Sequence, residues 1–161
     1  MFKPRRRSVV VLLGIVTGCL LFSSVATAAP AAAPTTASAR QAAAELVAAT
    51  NRARDAAGCD PVAVDPDLTA TAQAHAEDMA RNEYFSHTSE DGTSSGERIT
   101  EGGGYAATGE NIASGYPTVA EVMEAWMGSA SHRTVIENCG YVAIGVGYVA
   151  RGHHWVQDFG G

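Results

Sequence analysis

The strongest constraint on the fold lies at the C-terminal end of the chain, in residues 141–159. Larger side chains alternate there with small ones, the larger set being Val142, Ile144, Val146 and Tyr148. An Arg-Gly pair then supplies a turn, and residues 153–159 can pair back on the first run. Period-two alternation on both sides of a turn predicts an antiparallel β-hairpin. The rest of the chain has to cover this hairpin.

The segments ahead of the hairpin are mostly helical in pattern. Apolar residues at helical spacing predict helices over residues 38–57, 68–82 and 119–128, with Ser38, Asp67 and Thr118 as their caps. Shorter helical pieces are expected at residues 97–99 and from Ser131, and a strand near residues 111–115. Residues 60–66 and the glycines at 102–104 are expected to be loops. Helices first and paired strands last predict an α+β sandwich.

The N-terminal residues have the form of an export signal. Basic residues at 3–7 precede an apolar run at 9–22, and Ala26-Thr27-Ala28 offers a cleavage site. We therefore expect a signal peptide over residues 1–28, a flexible Ala/Pro/Thr linker over 29–37 and a folded domain over 38–161. The protein is expected to be secreted and extracellular. Two alternatives stay open, an uncleaved anchor and a lipoprotein attached through Cys19.

Charge restricts the partners of the mature chain. Removal of the signal would leave 7 basic and 17 acidic residues, a net charge of about −10. A chain this acidic repels nucleic acid and anionic lipid surfaces, so neither is an expected partner. We expect a monomer that is not stably inserted in a membrane after signal cleavage.

Two cysteines, Cys59 and Cys139, remain after signal cleavage. In the oxidising environment of an exported protein, such a pair predicts a disulfide. The alternative is two free thiols.

Three side chains that could bind a ligand or a metal ion lie on separate segments. Each is flanked by small or aromatic residues. They are His87, Glu110 and His132. We expect them to converge on one cleft. Two imidazoles and a carboxylate can hold a metal ion, form a polar ligand site without metal, or form a structural hydrogen-bond cluster. His75 lies on the apolar stripe of the second helix and is interpreted as a core residue, with a cleft ligand as the alternative.

Several short motifs occur in an order that resembles a known family. They are residues 46–51, 67–68, 85–88, 109–113, 126–127, 131–133, 144–147 and 155–160. This ordered set is similar to the CAP superfamily, which comprises cysteine-rich secretory, antigen 5 and pathogenesis-related proteins with an SCP domain. The resemblance is strongest to secreted bacterial members.

The resemblance implies a three-layer α-β-α sandwich with a central antiparallel sheet and a cleft lined by two histidines and two glutamates. His87, Glu110 and His132 match three of these four positions, and Ser129 stands where the second glutamate is expected. Serine is a poor zinc ligand, so the expected Zn²⁺ binding is weak or optional.

The function implied by the resemblance is ligand binding. We expect a secreted module whose cleft takes a lipid, sterol or peptide, with optional divalent-metal binding and without established catalysis. The alternative is a protease-like, metal-dependent hydrolase that uses the same three cleft residues. The sequence does not identify the ligand.

Overall fold

The computed structural model describes residues 36–161, which form five helices and a four-stranded sheet. The helices are α1 Thr36–Ala56, α2 Pro66–Asn82, α3 Ser95–Gly103, α4 Val119–Gly128 and α5 Ala130–Ile136; the strands are β1 Ala63–Val64, β2 Thr108–Ala113, β3 Ala143–Val149 and β4 His154–Gly160. The predicted α+β class and the C-terminal hairpin are confirmed. Within this part of the chain, no helix combines the length and apolar character needed to cross a membrane.

The strands lie in the order β1-β3-β4-β2. The hairpin strands β3 and β4 are antiparallel, and β2 joins the other side of β4 in antiparallel register. Glu110 of β2 lies directly opposite Asp158 of β4. The short β1 adds to β3 in parallel. This order makes β2 an edge strand.

Helices cover both faces of the sheet. The larger apolar cluster joins α1, α4 and α5 to one face, with Leu46, Trp126 and Ile136 packed against β3 and β4. On the opposite face, α2 packs on the sheet through Ala72, Ala76 and Met79, and Ile99 of α3 extends that layer. The result is the predicted three-layer α-β-α arrangement.

The alternation of large and small residues in β3 has a direct cause. A Cβ at Gly145 would lie 2.1 Å from the Leu68 carbonyl carbon, and one at Gly147 would lie 2.3 Å from the Ala72 carbonyl oxygen. The backbone of α2 therefore rests on the backbone of β3, which only glycine permits. Val142 breaks the predicted pattern because it precedes the strand and is 61% exposed.

Several predicted boundaries are wrong near α1 and α2. Ser38 lies inside α1 and is not its cap, and α1 begins within the predicted linker. Asp65, rather than Asp67, caps α2 through bonds from the Asp67 and Leu68 amides at 2.8 and 3.0 Å. Pro66 then occupies the first helical position, where its missing N–H costs nothing. The predicted loop before it contains β1.

The glycine run at 102–104 is not a loop. Ser94 and Glu97 form a reciprocal capping box that starts α3, and the helix continues through Gly103. Gly104 ends it with φ 75°, a left-handed conformation that suits glycine. Gly102 and Gly103 face Thr71 and Leu68 of α2 so closely that a Cβ would clash.

The predicted disulfide is confirmed. Cys59 and Cys139 are bonded across a sequence separation of 80 residues. The bridge joins the end of α1 to the segment between α5 and β3. Closing a loop of this length stabilises the fold by about 4 kcal/mol on a chain-entropy estimate. The predicted signal segment, Cys19 and residues 29–35 of the linker lie outside the described residues.

We expect Gly147→Ala to destabilise the domain by about 3 kcal/mol or more, because the added methyl group meets helix backbone that cannot rotate away. Urea denaturation followed by circular dichroism measures the change in unfolding free energy. The matched control is Gly128→Ala, where the added Cβ meets nothing within 4 Å. That variant should be equally stable or gain up to about 1 kcal/mol from helix propensity. Equal effects at both positions would contradict the close-packing explanation.

Candidate functional site

A cleft of about 630 Å³ lies beside the β2 edge. Its apolar lining includes Phe85, Ile112, Tyr116 and Trp126, and its polar lining includes Ser86, His87, Ser129 and His132. The segment after α2 forms one wall, while α4 and the start of α5 form the other. The cleft therefore lies between the two helical layers.

Glu110 is the buried centre of the site. Its side chain is 1% exposed, and its two oxygens have separate partners. Oε1 lies 2.7 Å from His87 Nδ1, and Oε2 accepts a hydrogen bond from Arg98 at 2.7 Å. The second ring nitrogen of His87 takes no part in this contact, and the His87 side chain is 52% exposed. The carboxylate thus orients the imidazole at the cleft wall.

Arg98 is a site residue that sequence reasoning missed. It donates to Glu110 Oε2, to the His87 and Thr93 carbonyls at 3.1 and 3.0 Å, and to Ser89 Oγ at 2.9 Å. One guanidinium therefore ties the loop between α2 and α3 to strand β2. The capping box places Arg98 in the first turn of α3, but nothing in the local sequence names its partners.

Asp158 is a second missed residue. It lies opposite Glu110 and is fully buried, and no described donor reaches either of its oxygens. Burial, followed by the Glu110 charge, raises the pKa of Asp158 well above its usual value. When protonated, the Asp158 carboxyl can donate a hydrogen bond, and Glu110 is placed to accept it.

His132 enters the cleft from the opposite wall. It lies on α5 and lines the same cavity as His87, but within residues 36–161 its ring forms no hydrogen bond or ion pair with Glu110. Burial lowers the pKa of His132, and the nearby His87 lowers it further. Ser129, between α4 and α5, also lines the cleft, with its Oγ 3.0 Å from that of Ser131. The structure thus pairs His87 with Glu110 and places His132 and Ser129 across the cleft.

His75 is a core residue, although it lies next to the site. The residue is 2% exposed, and Nε2 contacts the Ser86 carbonyl at 2.9 Å while lying 4.0 Å from Glu110 Oε2. Burial lowers the pKa of His75 more than the neighbouring carboxylate raises it. His75 therefore supports the loop that carries His87.

A buried polar chain supports the His132 side of the cleft. Asn111 donates to the His132 carbonyl at 3.2 Å and to Gln157 Oε1 at 3.4 Å. Gln157 donates to Thr50 Oγ1 of α1 at 2.6 Å. These contacts connect α5 to α1 through the sheet.

The donor set does not fit a three-residue zinc site. Both oxygens of Glu110 are engaged by His87 and Arg98, and Nδ1 of His87 is engaged as well. Within residues 36–161, no group of three or more His, Cys, Asp or Glu side chains is placed to hold a metal ion. Zinc at His87, Glu110 and His132 would require Glu110 to leave its partners.

The fold and the order of these residues agree with the comparison to known families. The sequence profile of the Cysteine-rich secretory protein family (CAP) matches residues 47–159. The chain belongs to this family. The match spans both the disulfide and every residue of the CAP-domain cleft described above.

Two Bacillus subtilis (strain 168) proteins are similar in sequence. The uncharacterized protein YkwD is 40% identical over 116 residues, covering 71% of this chain and 45% of YkwD. The uncharacterized membrane protein YlbC is 35% identical over 96 residues, covering 59% of this chain and 27% of YlbC. This CAP chain therefore spans less than half the length of either relative.

Solved structures share the CAP fold. An extracellular protein containing an SCP domain from Bacillus anthracis has a TM-score of 0.72 and 27% identity, covering 83% of this chain and 45% of that one. An outer surface protein from Borrelia burgdorferi has a TM-score of 0.68 and 25% identity, covering 73% and 90%.

We expect Arg98→Ala to cost about 3–5 kcal/mol of unfolding free energy, because it leaves the Glu110 charge buried without its cationic partner. Thermal and urea unfolding measure the loss. Arg81→Ala is the matched control, since Arg81 has a 67% exposed side chain paired with Asp78 at 3.2 Å. An exposed pair of this kind contributes about 0–1 kcal/mol. An Arg98 effect no larger than the Arg81 effect would contradict the assigned role.

Asp158 should give the domain an unusual pH dependence. The folded protein retains a proton at Asp158 that the unfolded chain releases above about pH 4, so this group lowers stability as pH rises. Asparagine has no such proton to lose, and its amide can donate to Glu110. The stability of Asp158→Asn relative to wild type should therefore increase as the pH rises above about 4, as measured by urea unfolding.

The control for this measurement is Asp91→Asn. Hydrogen bonding by the Thr93 amide lowers the pKa of Asp91, so this exposed carboxylate contributes stability above about pH 4. Its replacement should move relative stability in the opposite direction, and more weakly. A flat difference between Asp158→Asn and wild type would show that Asp158 is ionised in the folded protein.

Proposed function

We propose that this CAP domain is an extracellular ligand-binding module whose cleft takes a lipid, a sterol or a peptide. The observation that carries the proposal is the cleft itself, with a volume of about 630 Å³ and aromatic side chains beside a few polar groups. Ligand sites have this size and this mixture of a mainly apolar wall and sparse polar groups. Phe85 and Tyr116, 52% and 37% exposed, supply apolar surface for a ligand to cover.

The extracellular location is part of the same proposal. The N-terminal residues carry the export pattern, and the Cys59–Cys139 bond suits an oxidising compartment. The similar proteins of Bacillus anthracis and Borrelia burgdorferi are described as an extracellular and an outer surface protein.

Binding is favoured over metal-dependent hydrolysis by the partners of Glu110. Both carboxylate oxygens of Glu110 are already bound by Arg98 and His87, so Glu110 is not free to bind a metal ion. The role we propose for Glu110 is to hold His87 so that its free ring nitrogen can exchange a hydrogen bond with a polar group of the ligand. His132 offers a second such contact from the opposite wall.

We expect Ala125→Trp to block the cleft, because Ala125 lines it from α4. The test uses a panel of a fluorescent fatty acid, a fluorescent sterol and a random octapeptide display library, each presented to the purified domain. At least one member should bind saturably at one site, and Ala125→Trp should weaken that binding at least about tenfold. Fluorescence titration or peptide enrichment measures it.

The matched control is Ala70→Trp, in a separate groove beside α1 and α2. It adds the same side chain to a helix without entering the cleft, so binding should stay at the wild-type level. Failure of all three probe classes to bind, or equal loss in both variants, would contradict the proposed function.

A further inference from the structure

The edge of β2 that faces the cleft has unused hydrogen-bonding groups. Ala107 and Gly161 exchange two backbone hydrogen bonds, at 3.1 and 2.9 Å, just outside the strand pair. In an antiparallel ladder, bonded and non-bonded pairs alternate. Gly109, Asn111 and Ala113 therefore point their backbone groups toward β4, while those of Glu110 and Ile112 point away from the sheet.

The outward groups remain largely free. The Ile112 carbonyl accepts the Trp126 indole N–H at 3.2 Å, but within residues 36–161 no partner is found for the Ile112 N–H or for the N–H and carbonyl of Glu110. Glu110 as a whole residue is 8% exposed while its side chain is 1% exposed, so its accessible atoms belong to the main chain. Two donors and one acceptor thus lie along the outer edge of β2 at the spacing of a strand, and Ile112 of this edge lines the cleft.

The walls of the cleft favour a single extended chain over another sheet. His87 rises from the α2–α3 layer on one side of the β2 edge, and His132 rises from the α4–α5 layer on the other. The edge is therefore recessed between these two walls, which hinder the approach of another sheet. A single strand fits between such walls, and Phe85 and Tyr116 offer contact to its alternate side chains.

The charge of the cleft lining restricts which peptides can bind. The residues that line the cleft include no aspartate, glutamate, lysine or arginine, and their ionisable side chains are those of His87, Tyr116 and His132. A basic side chain would find no ionic partner there, and the acidic balance of the chain repels an acidic one, so an uncharged peptide that hydrogen-bonds to the imidazoles is favoured.

We propose that the cleft binds an extended, uncharged peptide segment as an additional strand on β2. The peptide residue opposite Glu110 exchanges two main-chain hydrogen bonds with it, and a neighbouring peptide carbonyl accepts from the Ile112 N–H. This is strand addition to an open sheet edge, in which the main chain provides affinity and the side-chain pockets provide selectivity. The inference rests on the proposed binding function and identifies the ligand class and its mode of attachment.

The experiment measures residue-specific amide hydrogen exchange by NMR with a synthetic octapeptide selected from the random display library. In the free domain, the Glu110 and Ile112 amides should exchange much faster than those of Gly109 and Asn111, which are already paired with β4. At a peptide concentration of about ten times Kd, exchange of the Glu110 and Ile112 amides should slow about tenfold. Unchanged exchange at Glu110 and Ile112 in the complex would overturn the proposal.

N-methylation of the peptide provides the complementary test. A methyl group on the nitrogen of the residue that pairs with Glu110 should weaken binding at least about tenfold, because it removes one main-chain bond and adds bulk. Methylation one residue away, on an outward-pointing nitrogen, should have a much smaller effect. If the loss of binding did not alternate between successive positions of the methyl group along the peptide, strand addition would be excluded.

The outcomes separate this inference from the proposed function. Binding of the fatty acid or sterol probe that Ala125→Trp abolishes, together with no enriched peptide, would overturn the peptide inference and leave the binding function standing. No binding by any probe would overturn both. Concentration-dependent protection of the Glu110 and Ile112 amides without peptide would instead show pairing with a second copy of the chain, which also overturns the inference.

Discussion

A carboxylate withdrawn from water has to be compensated, and the architecture around Glu110 supplies that compensation from two elements. Arg98 approaches from α3 and His87 from the loop after α2, each at 2.7 Å. Each partner is held in turn by its own contacts, such as those of Arg98 to the loop carbonyls. The cleft wall is stable because one buried charge ties these segments together.

The side chain and the main chain of Glu110 have different roles. The side chain points into the α2–α3 layer, where it is fully used by neighbours. The main chain lies at the strand edge between the two histidine-bearing walls. A residue that sequence reasoning selects for its carboxylate thus affects the cleft mainly through what it positions, namely His87 and the β2 edge.

The sequence predicts the scaffold well where the signal is local. The alternation in β3, the Thr118 cap and the paired cysteines each lead to the observed element, since period, cap chemistry and redox compartment act within short segments or on a single pair. It also selects His87, Glu110 and His132; His87 and His132 line the cleft, and Glu110 contacts His87 from its buried position in β2. The glycines at 102–104 mislead, because their small size serves packing against α2 rather than flexibility.

What the sequence could not supply is long-range pairing. Arg98 and Asp158 have no local feature that names Glu110 as their partner; for Asp158 the relation follows from the β2–β4 register. That register also decides which backbone groups of β2 lie on its outer edge. A slip by one residue would turn the backbone groups of Asn111 outward and the side chain of Glu110 toward the opposite helical layer. The chemistry of the cleft therefore depends on strand alignment as much as on residue identity.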